Sequence, residues 1–127
     1  MDNSPQPSRL WHWFDPRNRQ VGSWAFILNR ITALGLTFYL FLHLMMLGQL
    51  AIGEEAYTNF ITLAKTPVIM IGEMLVIAAG IIHGLNGIRI ILNSFGIGVR
   101  VQKFLFIGLM TLAVAGIAFF AVKMFGE

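Results

Sequence analysis

Charged positions divide the chain into a polar head and three long apolar stretches. Residues 1–22 are polar and broken by Pro5, Pro7 and Pro16, after which Ile31 to Gly53 runs without an Asp, Glu, Lys or Arg. A second apolar stretch opens at Thr66-Pro67, where threonine suits a helix cap and proline the first turn. It continues to about Leu92 and is interrupted only by Glu73 and Arg89. The third, Phe104 to Val122, carries no charge. Each stretch approaches or exceeds the roughly 20 residues a helix needs to cross about 30 Å of hydrocarbon. None alternates polar and apolar positions as a lumen-facing strand would, and a helix satisfies its own backbone in lipid. The pattern predicts an all-α fold of three transmembrane helices, over about 23–51, 67–94 and 101–124, forming half of a larger membrane helix bundle. Arg30 falls inside the first helix, where its long stem lets the guanidinium snorkel to the interface. Asn93 to Arg100 (NSFGIGVR) reads as a tight turn.

Composition supports this division. The 127 residues are 57% hydrophobic and 12% charged, against about 25% charged in ordinary soluble domains. That length suits one domain and excludes a nucleotide-binding fold joined to a catalytic one. With no cysteine, disulfides, thiolate metal sites, iron–sulfur ligation and covalent haem attachment are excluded. The net charge of +3 comes from nine Lys and Arg that never cluster, so no nucleic-acid surface is expected. Their distribution instead orients the chain. Arg9, Arg17, Arg19 and Arg30 precede or begin the first span, and Arg89, Arg100 and Lys103 flank the second connection. The first connection holds Glu54, Glu55 and Lys65, and the tail Lys123. The positive-inside rule then places the N-terminus and second connection in the cytoplasm, with the first connection and C-terminus outside. Residues 1–22 become a cytoplasmic or interfacial segment, with Trp11, Trp13, Phe14 and Trp24 as an aromatic apron, and residues 23–127 the membrane domain of a multi-pass protein of the cell's inner (cytoplasmic) membrane. The head lacks the short apolar core of a cleavable signal, so it is expected to remain.

Of three histidines, His12, His43 and His83, two fall inside spans, where an imidazole needs a hydrogen-bond partner or a metal. On a helical wheel Gly72, Ala79, Gly80 and Gly87 lie within about 60° of His83. Such a stripe lets another helix approach closely, and equally clears room for a flat macrocycle against the ligand's own helix. The His43 face is bulkier, with Thr32, Leu36, Tyr39, Leu47 and Leu50 within about 40°. If Arg30 and Arg89 both mark the cytoplasmic interface, His43 lies about 20 Å and His83 about 9 Å above it. An offset of about 10 Å is too great for one iron to hold both rings. The pair therefore predicts two bis-histidine haems, each completed by a histidine from a partner subunit.

The run WAFILNRITALGLTFYLFLHL, followed by HGLNGIR, resembles the cytochrome b membrane anchor of succinate dehydrogenases over roughly residues 20–96. The shared features are an arginine-rich aromatic entry, the Arg30–Thr32 step, and His83 with glycine four and arginine six positions later. The resemblance implies that His83 is an axial ligand of haem b. It also implies partners: a second three-span anchor, an iron–sulfur subunit and a flavoprotein that carries the succinate chemistry. A histidine near the outer end of the first span is similar to the two-haem branch, which often uses menaquinone, so His43 would hold the second haem. Asn29-Arg30 stands where the family commonly has His-Arg, Phe26 where single-haem relatives have serine, Ala33 where a glycine follows the threonine, and Ser94 where an aspartate is common. Asn29, Arg30, Ser23 and Trp24 are quinone-site candidates.

Arg30 and Arg89 can pair with haem propionates or simply anchor the interface. Glu73 reads as a proton-relay carboxylate, a haem neighbour or an interfacial group, and His12 as interfacial or at the quinone's edge. The function expected is a haem b-binding anchor of succinate:quinone oxidoreductase, passing electrons from the iron–sulfur subunit to quinone. A fumarate reductase anchor and a cofactor-free anchor or assembly protein are the alternatives.

Overall fold

A computed structural model of the chain describes residues 8, 10 and 21–126. The expectations for Arg9, Trp11, His12, Trp13, Phe14, Arg17 and Arg19 lie outside the described residues. Four α-helices follow: α1 (Val21–Ile52), α2 (Glu54–Ala64), α3 (Pro67–Ser94) and α4 (Gln102–Phe125). No strand occurs among the described residues. The three apolar stretches lie in α1, α3 and α4, each long and apolar enough to cross a membrane. α3 is the middle helix, packed on α1 along one side and on α4 along the other. Gly116 of α4 faces Ile81 of α3, where an added Cβ would sit 3.6 Å from the isoleucine Cδ1.

The short helix α2 was not anticipated. It follows α1 after a single residue, Gly53, whose φ of 146° is open only to glycine and turns the chain without a loop. Glu54 and Glu55 stand in its first turn, where the helix dipole favours negative charge. Tyr57, Phe60, Ile61 and Ala64 recur at helical spacing and are half-buried, while Thr58, Asn59 and Thr62 are exposed. Thr66 occupies the N-cap position of α3, but its hydroxyl does not cap that helix. It donates back to the Leu63 carbonyl at 2.7 Å, sealing the α2–α3 corner.

At the opposite end of the bundle α3 closes with a Schellman motif. Ile97 N–H donates to Leu92 O and Gly96 N–H to Asn93 O, both at 2.9 Å, with Gly96 at φ 76°. This is the NSFGIGVR turn, and it sets α4 antiparallel to α3 within a few residues.

The interior inverts that of a soluble protein. Among the described residues the buried apolar side chains are Ala25, Ile27 and Ala113, whereas Thr32, Asn86 and Arg89 are buried polar ones. Leu34, Phe38, Phe41, Met45, Leu75 and Phe104 are among many large apolar side chains facing outward. Such a surface is stable only against lipid or other membrane helices. In lipid, apolar burial gives helices little reason to associate, so small residues and polar bonds hold them together.

Two glycine substitutions should act with opposite sign. Gly96→Ala forces a Cβ into the left-handed region and should destabilise by about 1–2 kcal/mol. Gly108→Ala, in an α4 turn with nothing within 4 Å of the added carbon, should stabilise by up to about 1 kcal/mol. Thermal unfolding of the detergent-solubilised protein checks both; an unchanged Tm for Gly96→Ala would contradict the motif.

Candidate functional site

The buried polar residues form one seam running between α1, α3 and α4. Asn86 and Arg89 are three residues apart on α3, hence on one face. Asn86 Nδ2 donates to the Ala25 carbonyl of α1 at 3.0 Å, and its Oδ1 accepts from Arg89 Nε at 2.9 Å. Arg89 Nη1 donates to Gln102 Oε1 of α4 at 3.4 Å, and the guanidinium lies 5.8 Å from the Phe106 ring centre. Three helices are thus tied through one asparagine and one arginine. Arg89 is 7% exposed, yet its partners among the described residues are neutral or aromatic. A buried cation of this kind calls for a counter-charge from outside the described residues.

Above that network Thr32 of α1 meets His83 of α3. Thr32 Oγ1 lies 2.7 Å from Leu28 O, 3.1 Å from Asn29 O and 3.2 Å from His83 Nδ1. A hydroxyl has one proton, and the shortest of these contacts directs it to the α1 carbonyls, the usual back-bond of a helical threonine. With its proton on an α1 carbonyl the oxygen accepts toward His83, which selects the tautomer protonated on Nδ1 and leaves the Nε2 lone pair free. No other hydrogen bond reaches the ring among the described residues. This is the arrangement of a metal-ligating histidine, whose remote N–H is held by an oxygen.

The stripe beside His83 is open. A Cβ added at Gly72, Gly80 or Gly87 would meet nothing within 4 Å among the described residues, so these small residues do not serve packing between the described helices. They leave a flat strip along the imidazole. His43 is held differently. Tyr39 Oη, one turn earlier on α1, lies 3.3 Å from His43 Nδ1, with ring centres 5.4 Å apart. Nε2 again stays outside the hydrogen bond. Tyr39 also lines a cleft of about 960 Å³ between α1, α2 and α3. Glu73, exposed on α3, lines the same cleft with Gln49 and Asn59.

The Thr32–His83 contact also fixes relative depth. His43 is 11 residues beyond Thr32, so the two imidazoles are separated by about 17 Å along the helices rather than about 10 Å. The difference arises because Arg30 and Arg89 are not level. Arg30 lies about 3 Å below Thr32 and Arg89 about 9 Å below His83, so Arg89 stands about 6 Å nearer that end of the bundle.

The other candidates are not all brought together. Ser23, half-buried, and Arg30, exposed, share a side of α1 with Phe26, over whose ring the Arg30 guanidinium stacks at 4.3 Å. Arg30 is about 160° around the helix from Thr32, away from the α3 seam. Asn29 lies nearer that seam, and its Oδ1 is buried with no hydrogen-bond partner among the described residues. Trp24 is 42% exposed and about 140° around from Asn29. Thr32, Asn86, Gln102 and Tyr39 were not assigned roles from sequence. Two carried a readable signal, since Asn86 is three residues before Arg89 and Tyr39 four before His43.

Among the described residues no three metal-ligating side chains converge. A metal on either histidine therefore takes its remaining ligands from elsewhere. A macrocycle with one free axial position fits this donor set, because each imidazole is tethered through Nδ1 and His83 lies on a stripe of open glycines.

Comparison with known proteins places these features in context. The family described as the succinate dehydrogenase/fumarate reductase transmembrane subunit matches residues 9–122. The chain is similar to the succinate dehydrogenase 2 membrane subunit SdhC of Mycobacterium tuberculosis, at 32% identity over 90 residues, covering 71% of this chain and 62% of that protein. It is also similar to the succinate dehydrogenase hydrophobic membrane anchor subunit of Halobacterium salinarum, at 29% identity over 83 residues, 65% of this chain and 64% of the other. The chain thus spans somewhat less than two thirds of the length of either relative.

The two asparagines should separate in their effect on stability. Hydrogen bonds between membrane helices average only about 0.6 kcal/mol, but a buried guanidinium that loses its acceptor costs about 1.5–3 kcal/mol. Asn86→Leu should therefore destabilise by about 2 kcal/mol, dominated by the second effect. Asn29→Leu, removing an oxygen without a partner among the described residues, should be close to neutral. Equilibrium unfolding in detergent measures both, and equal losses would contradict the network.

Proposed function

The chain belongs to the succinate dehydrogenase/fumarate reductase transmembrane subunit family, and from that premise we propose that it is the haem b-binding anchor of a succinate:quinone oxidoreductase. The observation that carries this reading is His83, whose Nδ1 lies 3.2 Å from Thr32 Oγ1 while Nε2 makes no hydrogen bond among the described residues, on a helix stripe whose glycines have open space around them. His83 would hold one haem b and His43 a second, each with its other axial ligand on a partner anchor subunit. Haem so held supplies a one-electron carrier whose potential depends on its ligands and surroundings. Arg89, a buried cation without a carboxylate beside it among the described residues, is suited to a propionate of the His83 haem, and Arg30 to a second acidic group at the same end of the bundle.

The quinone would be reduced at the end of α1 that carries Asn29 and Arg30, with Ser23 and Trp24 at its margin. Asn29 Oδ1 can accept from a quinol hydroxyl, and Arg30 can donate to a quinone carbonyl. Electrons would reach this corner from an iron–sulfur subunit on the cytoplasmic side, with succinate oxidised on a flavoprotein. This requires the N-terminus and the NSFGIGVR turn to lie inside the cytoplasmic membrane and α2 outside, as the Lys and Arg distribution favours. Two imidazoles at separate depths suit the two-haem branch and a menaquinone substrate.

The test is haem content and the reduced-minus-oxidised spectrum of the purified complex. Two b-type haems per copy of this chain are expected, with His83→Ala losing one and His43→Ala the other. Loss of neither from His43→Ala would reduce the site to one haem, and absence of b-type bands from the native complex would leave a cofactor-free anchor.

A further inference from the structure

We infer that Thr32 is a positioning residue that governs the ligand strength and ring orientation of His83 from the neighbouring helix. This rests on the proposed haem ligation by His83 and goes beyond it, because it assigns control of that ligand to a side chain that never touches the metal.

Thr32 is 6% exposed, and its oxygen is a junction of three contacts at 2.7, 3.1 and 3.2 Å. The back-bond to Leu28 fixes the threonine's χ1, which β-branching already restricts in a helix. A fixed hydroxyl presents its lone pair to His83 in one direction. The imidazole plane must follow that direction for Nδ1–H to reach it, so ring rotation about the Cβ–Cγ bond is restrained from α1. The same bond polarises the ring. A remote N–H drawn toward an oxygen leaves Nε2 more basic, and donation of the hydroxyl's own proton to Leu28 strengthens the oxygen as an acceptor. A more basic ligand stabilises ferric over ferrous iron and lowers the potential.

His43 lacks this device. Its Nδ1 partner is Tyr39 on its own helix, at 3.3 Å, so movement between α1 and α3 leaves that pair intact. Coupling to helix packing is specific to His83. The network of Ala25, Asn86, Arg89 and Gln102 lies about one to two turns below and holds the α1–α3 register that the Thr32 contact needs.

The experiment compares wild-type, Thr32→Val and Thr32→Ser complexes, purified whole, by redox titration and by electron paramagnetic resonance of the ferric haems. Thr32→Val keeps the shape and removes the acceptor. It should shift the midpoint potential of the His83 haem upward and displace its low-spin g-value, leaving the His43 haem unmoved. Thr32→Ser retains the acceptor and should restore both readouts toward wild type. Where Thr32→Val does not assemble, Thr32→Ala removes the same acceptor, and an unchanged potential and g-value of the His83 haem in that complex would equally overturn the assignment. A Thr32→Val complex with wild-type potential and g-values, in which His83→Ala still removes one haem, would overturn the Thr32 assignment and leave the ligation intact. A His83→Ala complex that keeps all its haem would overturn both.

Discussion

The constraint on which the structure depends is that polar groups inside a membrane must find each other. α1 and α3 meet where Thr32 reaches His83 and where Asn86 reaches the Ala25 carbonyl. These contacts set the rotation and depth of one helix against the other, which apolar packing in lipid determines only loosely. Arg89 and Gln102 extend the seam to α4, and the same residues that join the helices present the imidazole. Structure and candidate function therefore share one set of atoms. A change in the seam should alter stability and ligand geometry together, whereas the lipid-facing surface should tolerate wide apolar substitution.

The three spanning helices were legible because lipid imposes length and apolarity on any segment that crosses it, and the gaps between charges mark the ends. α2 was not, because its Tyr, Thr, Asn and Ile favour helix weakly. It forms where Gly53 and the sealed corner at Thr66 leave an amphipathic segment that packs mainly against α1. At the site, His43 and His83 stood out as rare polar groups in apolar runs. Their partners did not, because pairing Thr32 with His83 requires knowing how two helices are rotated and how far each has slid. The reading that set Arg30 level with Arg89 failed for that reason. Arg30 stacks on Phe26 at an exposed face, while Arg89 is buried beside Asn86 and Gln102. The levels differ by about 6 Å, and the imidazole separation grows accordingly.

The outward-facing Leu, Phe and Met side chains, and a buried Arg89 with no carboxylate beside it among the described residues, are the two features that call for surroundings. Lipid answers the first feature and not the second. The open glycine strip along α3, the Nε2 atoms of both histidines and the orphan Asn29 oxygen mark where the rest of an assembly would fit. Each lies near α1 or α3, which makes α1 and α3 the proposed functional half of the bundle and α4 the support that fixes Arg89.

The most direct test is a cryo-electron microscopy map of the assembled complex, since the central claim is that two imidazoles at different depths serve two separate irons. Two porphyrin densities are expected, one against His83 Nε2 beside the glycine strip and one against His43 Nε2, displaced by about 17 Å along the helix direction. A single porphyrin bridging both residues, or apolar side chains packed directly against both Nε2 atoms, would contradict it.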